Sequence, residues 1–320
     1  MSRGVRGPLA ALMAIGLAAV LGACTSGVYA DTVLPTATPA PSSSSTSTPP
    51  FDCGDPVKSY DPVPSLTSAP AQAAIADIKK RGYLLAGVSG DSRLLGSRNP
   101  LTGQIEGFDI DMVHAVAEAI FGDANKVTFI VISAANRTKV LMDQKVDIVV
   151  RNMTMSCDRW RDIAFSSQYY RSGLKILVRT NDKTNTLEGL AGKRVCAPKG
   201  TSTLTKVSST AGVIAVGADT HTGCLVLFQN GEVDAIAGDD TVLAGLVAQD
   251  PYAYVPPMQP LTDEPYGIGV NKDKVDFVRY VSKVVDTVKA DGRWKASYDK
   301  WFLPNLKVEA TPPASTYGRT

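Results

Sequence analysis

Charge is nearly balanced in this chain of 320 residues, at +2 overall, and no cluster of lysines or arginines stands out. That removes the basic footprint that nucleic-acid binding requires. Histidine is scarce: the two present, His114 and His221, are 107 positions apart. No metal centre is therefore expected. The apolar run from Pro8 to Val20 is too short for a comfortable membrane span. No nucleophile stands beside a base within one motif, which leaves covalent catalysis without a candidate.

What is present begins at the N-terminus. Arg3 and Arg6 precede the apolar run, which closes on Leu21-Gly22-Ala23-Cys24. A basic start, a short apolar stretch and small residues before a cut describe a secretory signal over residues 1–23. A cysteine directly after the small pair resembles a lipobox, in which the thiol is acylated; Cys24 is then a lipid anchor at the cell membrane, on its extracellular face. From Thr25 to about Pro50 the chain is rich in Ser, Thr, Pro and Ala with almost no charge. Such a composition cannot bury enough apolar surface to offset its chain entropy. A disordered stalk is expected over residues 24–70, and a flexible tail over 306–320.

Four cysteines remain after Cys24, which allows three pairings. An oxidising compartment favours bridges over free thiols. Cys196 ends an expected strand and Cys224 opens an expected helix in the same half of the chain, so these two are paired and Cys53 is left to Cys157.

The segment from Val146 to Ser166 carries the most chemical information. Val146, Ile148, Val149 and Val150 read as a buried strand ending at Arg151 and Asn152. A polar turn, Asn152-Met153-Thr154-Met155-Ser156, leads to a charged segment with Arg159, and Ser156 is placed to cap a helix. A hydroxyl, free backbone N–H groups and a forked cation at one helix start are what a carboxylate needs. An ordinary strand-to-helix turn with a surface arginine is the plainer alternative. Elsewhere, 83–88, 127–132, 175–179, 194–197 and 235–237 read as strands, while 109–121 repeats apolar residues at helical spacing (Ile110, Val113, Val116, Ala117, Ile120). Strands alternating with helices give an α/β fold.

Taken in order, several motifs resemble the polar amino-acid family of extracellular solute-binding proteins (family 3), over roughly Ile75 to Leu303. They are Gly107-Phe108-Asp109-Ile110-Asp111-Met112, the 146–166 segment, Phe165-Ser166-Ser167-Gln168-Tyr169-Tyr170 and Leu190-Ala191-Gly192-Lys193-Arg194-Val195. After these come Gly200-Thr201-Ser202-Thr203, Val233-Asp234-Ala235-Ile236, Asp291-Gly292-Arg293-Trp294 and Tyr298-Asp299-Lys300-Trp301-Phe302. The resemblance implies a two-lobed, periplasmic-binding-protein-like (type II) fold. Lobe 1 would be 71–174 plus 269–305 and lobe 2 would be 175–268, joined by crossing strands near 173–179 and 266–271 and closing around a ligand.

The resemblance also implies roles. Arg159 and Thr154 would hold an amino acid's α-carboxylate, with N–H groups from Thr201, Ser202 and Thr203 in the second lobe. Asp239 would meet the ammonium, with Asp240 as the alternative, and Asn152 would help. Arg137 of the Asn136-Arg137 pair, together with His221, matches members that bind glutamate or aspartate; each read alone is a surface or covering residue. Lysine- and arginine-binding members place an aspartate where Ser89 stands, with Asp91 two residues on beside Arg93. His114 reads as structural, and Met153, Met155, Tyr169 and Tyr170 as cleft wall or core, with no cofactor.

The expected function is a monomeric, lipid-anchored receptor. It captures glutamate or aspartate, or an amide such as glutamine, and hands it to a membrane ABC permease. A sensor docking on a membrane signalling protein, and a glutamine-specific binding protein, are alternatives. A dehydratase of cyclic acids would need a carboxylate inside the cleft, and Glu106, Glu118 and Glu188 fall in expected loop or helix-surface positions.

Overall fold

The computed structural model describes residues 51–320; the expected signal, the acylated Cys24 and the 25–50 stretch lie outside them. Its main strands are β1 (Leu84–Val88), β2 (Val127–Val131), β3 (Ile148–Val149), β4 (Ile163–Arg179), β5 (Arg194–Pro198), β6 (Ile214–Ala218), β7 (Ala235–Asp239) and β8 (Asp263–Asn271). They form one sheet in the order β2-β1-β3-β8-β4-β7-β5-β6. β1 is parallel to β2 and β3, and β5 is parallel to β6 and β7. β4 and β8 run antiparallel to their neighbours.

β4 divides this sheet into two lobes. Its first half pairs with β8, from Ile163↔Asn271 to Gly173↔Asp263, and its second half pairs with β7, from Leu174↔Asp239 to Leu177↔Ile236. Because β8 finds its partners wholly on the lobe 1 side, lobe 2 ends near residue 262, earlier than the expected 268.

Each lobe has its own core. In lobe 1, helix α1 (Phe108–Phe121) buries Ile110, Val113, Val116, Ala117 and Ile120 along one stripe. Asp109 and Asp111 favour its N-terminal dipole, and Gly122 closes it in the left-handed conformation. The Phe108 ring meets Phe302 at 4.7 Å, Tyr170 at 5.6 Å and Trp294 at 5.8 Å. Tyr169, Tyr170, Met153 and Met155 are all buried in this core. In lobe 2 the side chains alternate across the sheet. Leu174, Ile176 and Val178 face one cluster, and Leu177 faces another with Cys196, Cys224 and Phe228. His114 Nδ1–H donates to the Ala124 carbonyl, 2.7 Å away, a local structural tie.

Both disulfides pair as expected, Cys53 with Cys157 and Cys196 with Cys224. Residues 51–70 and 306–320, however, pack on the lobes where the end of a loose stalk and a flexible tail were expected. Ser59 is buried with its Oγ donating to the Phe165 carbonyl at 2.7 Å, and Val63 is buried against lobe 1. Past residue 306 the chain runs back along lobe 1: Gln168 Nε2 donates to the Ala314 carbonyl, and Arg319 N donates to the Ser59 carbonyl. The Arg319 guanidinium lies 3.8 Å from the Trp160 ring centroid and donates to the carbonyls of Lys58 and Asp55. Composition misleads in these stretches because a few anchors (Cys53, Val63, Tyr317, Arg319) suffice to fix polar backbone.

Candidate ligand cleft

The elements that bear the expected site residues meet where the lobes face each other. From lobe 1 come the turn 151–156 after β3, helix α2 (Arg137–Met142) and the short helix α3 (Cys157–Trp160). From lobe 2 come the starts of α4 (Ser202–Ser209) and α5 (His221–Gln229) and the end of β7, which leads into α6 (Asp240–Val247). The lobes touch across this line: Thr222 Oγ1 donates to the Asp91 carbonyl at 2.9 Å, and Thr154 Oγ1 and Ser202 Oγ are 3.5 Å apart.

Asn152 is the pivot of the lobe 1 turn. Its φ of 35° lies in the left-handed region, which asparagine tolerates better than most residues. Asp109 accepts from its N–H at 2.8 Å, and Arg137 Nη1 donates to its carbonyl at 3.0 Å. Thr154 and Arg159 follow on the same turn; Arg159 Nη1 donates to the Thr154 carbonyl at 2.6 Å and its side chain is half-buried. Ser156 precedes α3 with extended backbone but without a side-chain capping bond.

Arg137 is buried, and its guanidinium is almost fully committed to backbone. Nε donates to the Ala134 carbonyl, Nη1 to those of Arg151 and Asn152, and Nη2 across the cleft to that of Gly200. With five N–H donors per guanidinium, one remains. Two further arginines share the region, Arg159 and the buried Arg151; burial first, then their charges, holds the Arg137 guanidinium well below its usual range.

The lobe 2 side is acidic and hydroxylic. Asp239 is buried and accepts from Tyr266 OH at 2.5 Å. Burial first, then the neighbouring Glu264, lifts its carboxyl from 3.8 to about 7, against the Tyr266 hydrogen bond. Asp240 turns away: it accepts from Ser172 Oγ and lines a separate groove of 1030 Å³ with Lys175, Tyr254, Met258 and Leu306. Of the two aspartates considered, Asp239 is the one that shares the cleft with Arg137 and Arg159. Thr201 spends its hydroxyl locally, donating to the Pro198 carbonyl and accepting from Leu204 N as the cap of α4. Thr203 is buried in the first turn. An 840 Å³ opening lined by Ser156, Arg159, Ser202 and Lys206 lies between α3 and α4.

Glu264 carried no sequence signal, yet it ties the site together. It is buried at the crossing strand; its Oε2 accepts from Thr154 Oγ1 at 2.6 Å and Ser202 Oγ at 3.0 Å, one hydroxyl from each lobe. Its charge also supports the Arg159 guanidinium against burial. Asp109 sits deeper, lifted by burial to about 6 and held by Tyr169 OH at 2.8 Å. His221 is buried and neutral, its value pushed down to about 3 by burial and by the Arg151 charge.

Three buried side-chain atoms of this cluster make no hydrogen bond among the described residues: Asn152 Oδ1, His221 Nε2 and Asp239 Oδ1. Buried polar atoms are rarely left so, and Arg159 is near enough to Asp239 to feel its charge.

Residues 84–304 match the family described as bacterial extracellular solute-binding proteins, family 3. This chain belongs to that family. It is 32% identical over 230 residues to the ABC transporter glutamine-binding protein GlnH of Bacillus subtilis, covering 71% of this chain and 84% of that one. It is 28% identical over 239 residues to the glutamate-binding protein GluB of Corynebacterium efficiens, covering 71% and 80%. Among solved structures, an ancestral arginine-binding protein bound to glutamine aligns with a TM-score of 0.65 at 30% identity, over 69% of this chain and 98% of that one. The two-lobed type II fold is thus shared, and a family 3 solute-binding protein is a receptor rather than an enzyme. No helix among the described residues is long and apolar enough to cross a membrane.

Proposed function

We propose that this protein is the amino-acid receptor of an ABC importer, holding glutamate or aspartate, or an amide such as glutamine, between its lobes. The observation that carries this reading is a half-buried Arg159 guanidinium near enough to feel the charge of the buried Asp239, whose Oδ1 is unpartnered, as is Asn152 Oδ1. An α-carboxylate on Arg159 and Thr154, with N–H groups of Ser202 and Thr203, and an ammonium on Asp239 and Asn152, would satisfy each. Arg137 and His221 would lie toward the ligand's side chain. The names of the glutamine- and glutamate-binding relatives support the ligand class, and acylation at Cys24 would keep the receptor beside its permease.

The test is a thermal-shift screen of the mature, unlipidated protein against the twenty amino acids, followed by calorimetry. A ligand present at about 100 times its Kd adds about 2.7 kcal/mol to folding stability and visibly raises the midpoint. A rise confined to glutamate, aspartate and their amides is expected. No response to any amino acid would refute the reading.

A further inference from the structure

The cleft holds one buried cation whose partners are not accounted for. Arg151, the residue after the β3 valines, is 4% exposed. Its Nε donates to the Ile132 carbonyl at 3.0 Å, and its terminal nitrogens make no hydrogen bond among the described residues. Asp91 and Asp109 are near enough to feel its charge but form no ion pair with it. An isolated buried charge is costly and is normally paired.

Its surroundings suggest what completes it. His221, brought over from lobe 2 by the Thr222–Asp91 contact, lies close enough to Arg151 for the guanidinium to suppress its protonation. The His221 Nε2 atom is itself unpartnered. Arg137, the residue the sequence suggests for a ligand's side chain, has four of its donors on carbonyls. Arg151 keeps its planar fork of terminal donors, the geometry that takes a carboxylate bidentately.

We infer that Arg151 is the specificity-determining residue of the cleft, receiving the side-chain carboxylate of an acidic amino acid opposite His221. This rests on the amino-acid reading of the cleft and narrows it: glutamate or aspartate is the ligand class, and a neutral amide leaves the Arg151 charge uncompensated.

The experiment compares Arg151→Met, Arg151→Gln and Arg151→Lys with the parent chain, titrating each calorimetrically with L-glutamate, L-aspartate and L-glutamine. The readout is the ratio of acid to amide affinity within each variant, so a smaller folded fraction cancels. Arg151→Gln keeps a polar donor for the Ile132 carbonyl, should Arg151→Met fail to fold. In either neutral variant the ratio is expected to fall by about 100-fold, as when one partner of a buried charge pair is removed. Arg151→Lys, which keeps the charge without the fork, should recover part of it. An unchanged ratio in the neutral variants, or a parent chain that binds glutamine but no acid, overturns the assignment of Arg151 and leaves the amino-acid reading standing. A parent chain that binds no amino acid refutes that reading itself.

Discussion

Arg137 on lobe 1 donates from Nη2 to the carbonyl of Gly200 on lobe 2, 3.3 Å away, while its other nitrogens hold the carbonyls of Ala134, Arg151 and Asn152. One side chain thus braces the left-handed turn at Asn152 and the closed arrangement of the lobes. Arg137→Met leaves those buried carbonyls unsatisfied, each costing about 1–3 kcal/mol. A loss of several kcal/mol is expected in urea unfolding, together with weaker binding of every amino acid. A variant of native stability would show that the four bonds contribute nothing.

Arg159→Ala removes the guanidinium assigned to the ligand's α-carboxylate. Arg159 is half-buried and bonds a single carbonyl, that of Thr154, so the fold should be nearly unaffected. Binding is expected to weaken by about 100-fold or more, as for loss of a charge-assisted pair shielded from water. Near-native affinity in calorimetry would remove Arg159 from the site.

Ligand affinity should depend on pH through Asp239. In the folded, ligand-free protein its carboxyl is lifted from 3.8 to about 7 and that of Asp109 to about 6. These raised values add stability that is fully present below pH 3.8 and is lost as pH rises through 6 and 7. His221, lowered from 6.5 to about 3, acts in the opposite sense, its contribution present above pH 6.5 and lost as pH falls toward 3. An ammonium on Asp239 requires the ionised form, so binding below pH 7 should release a proton, and affinity should rise as pH passes through about 7. Titrations in buffers of different ionisation enthalpy measure this release. Asp239→Asn should abolish it along with most of the affinity.

Gly245, inside helix α6, packs so close to lobe 1 that a Cβ there would lie 2.5 Å from the Arg93 carbonyl oxygen. Alanine favours a helix interior over glycine by about 0.5–1 kcal/mol, so Gly245→Ala should not weaken lobe 2 itself. It should instead oppose the lobe contact. Weaker amino-acid binding is expected, with a radius of gyration under saturating ligand larger than that of the parent in X-ray scattering. An unaltered closed form would mean that the backbone yields at little cost.

Loss of the Cys53–Cys157 bridge, which spans 104 residues, should cost about 2–4 kcal/mol. The four-residue helix α3 carries both Cys157 and Arg159 and has no side-chain cap. A double Cys→Ser variant is therefore expected to lose amino-acid affinity as well as stability. Calorimetry on the folded variant separates the two, and undiminished affinity would show that α3 holds its place without the bridge.

Much of this was legible in the chain because the signals are local. The apolar spacing of 109–121 and the β-branched run before Arg151 need only near neighbours, and the turn carrying Asn152, Thr154 and Arg159 is continuous in sequence. Glu264 and Arg151 were not legible as site residues. Glu264 matters because a crossing strand delivers it between Thr154 and Ser202, 110 and 62 positions away. Arg151 reads simply as the polar end of a strand until Arg137 is seen to be occupied with carbonyls. Residues 53–63 and 314–319 resemble linker by composition, and their order comes from each other and from Trp160.

The crossing strands also dictate an order of assembly. Lobe 2 is one unbroken run of chain between Leu174 and Asp263, with both partners of its disulfide inside it. Lobe 1 is built from both ends, and the Phe108 ring acquires Trp294 and Phe302 only when the chain is almost complete. A chain emerging from its N-terminus can therefore fold lobe 2 while lobe 1 still exposes Phe108 and Tyr170. The later-sequence lobe is the earlier to finish, and the unfinished first lobe is the apolar surface exposed to misassembly until the chain is complete.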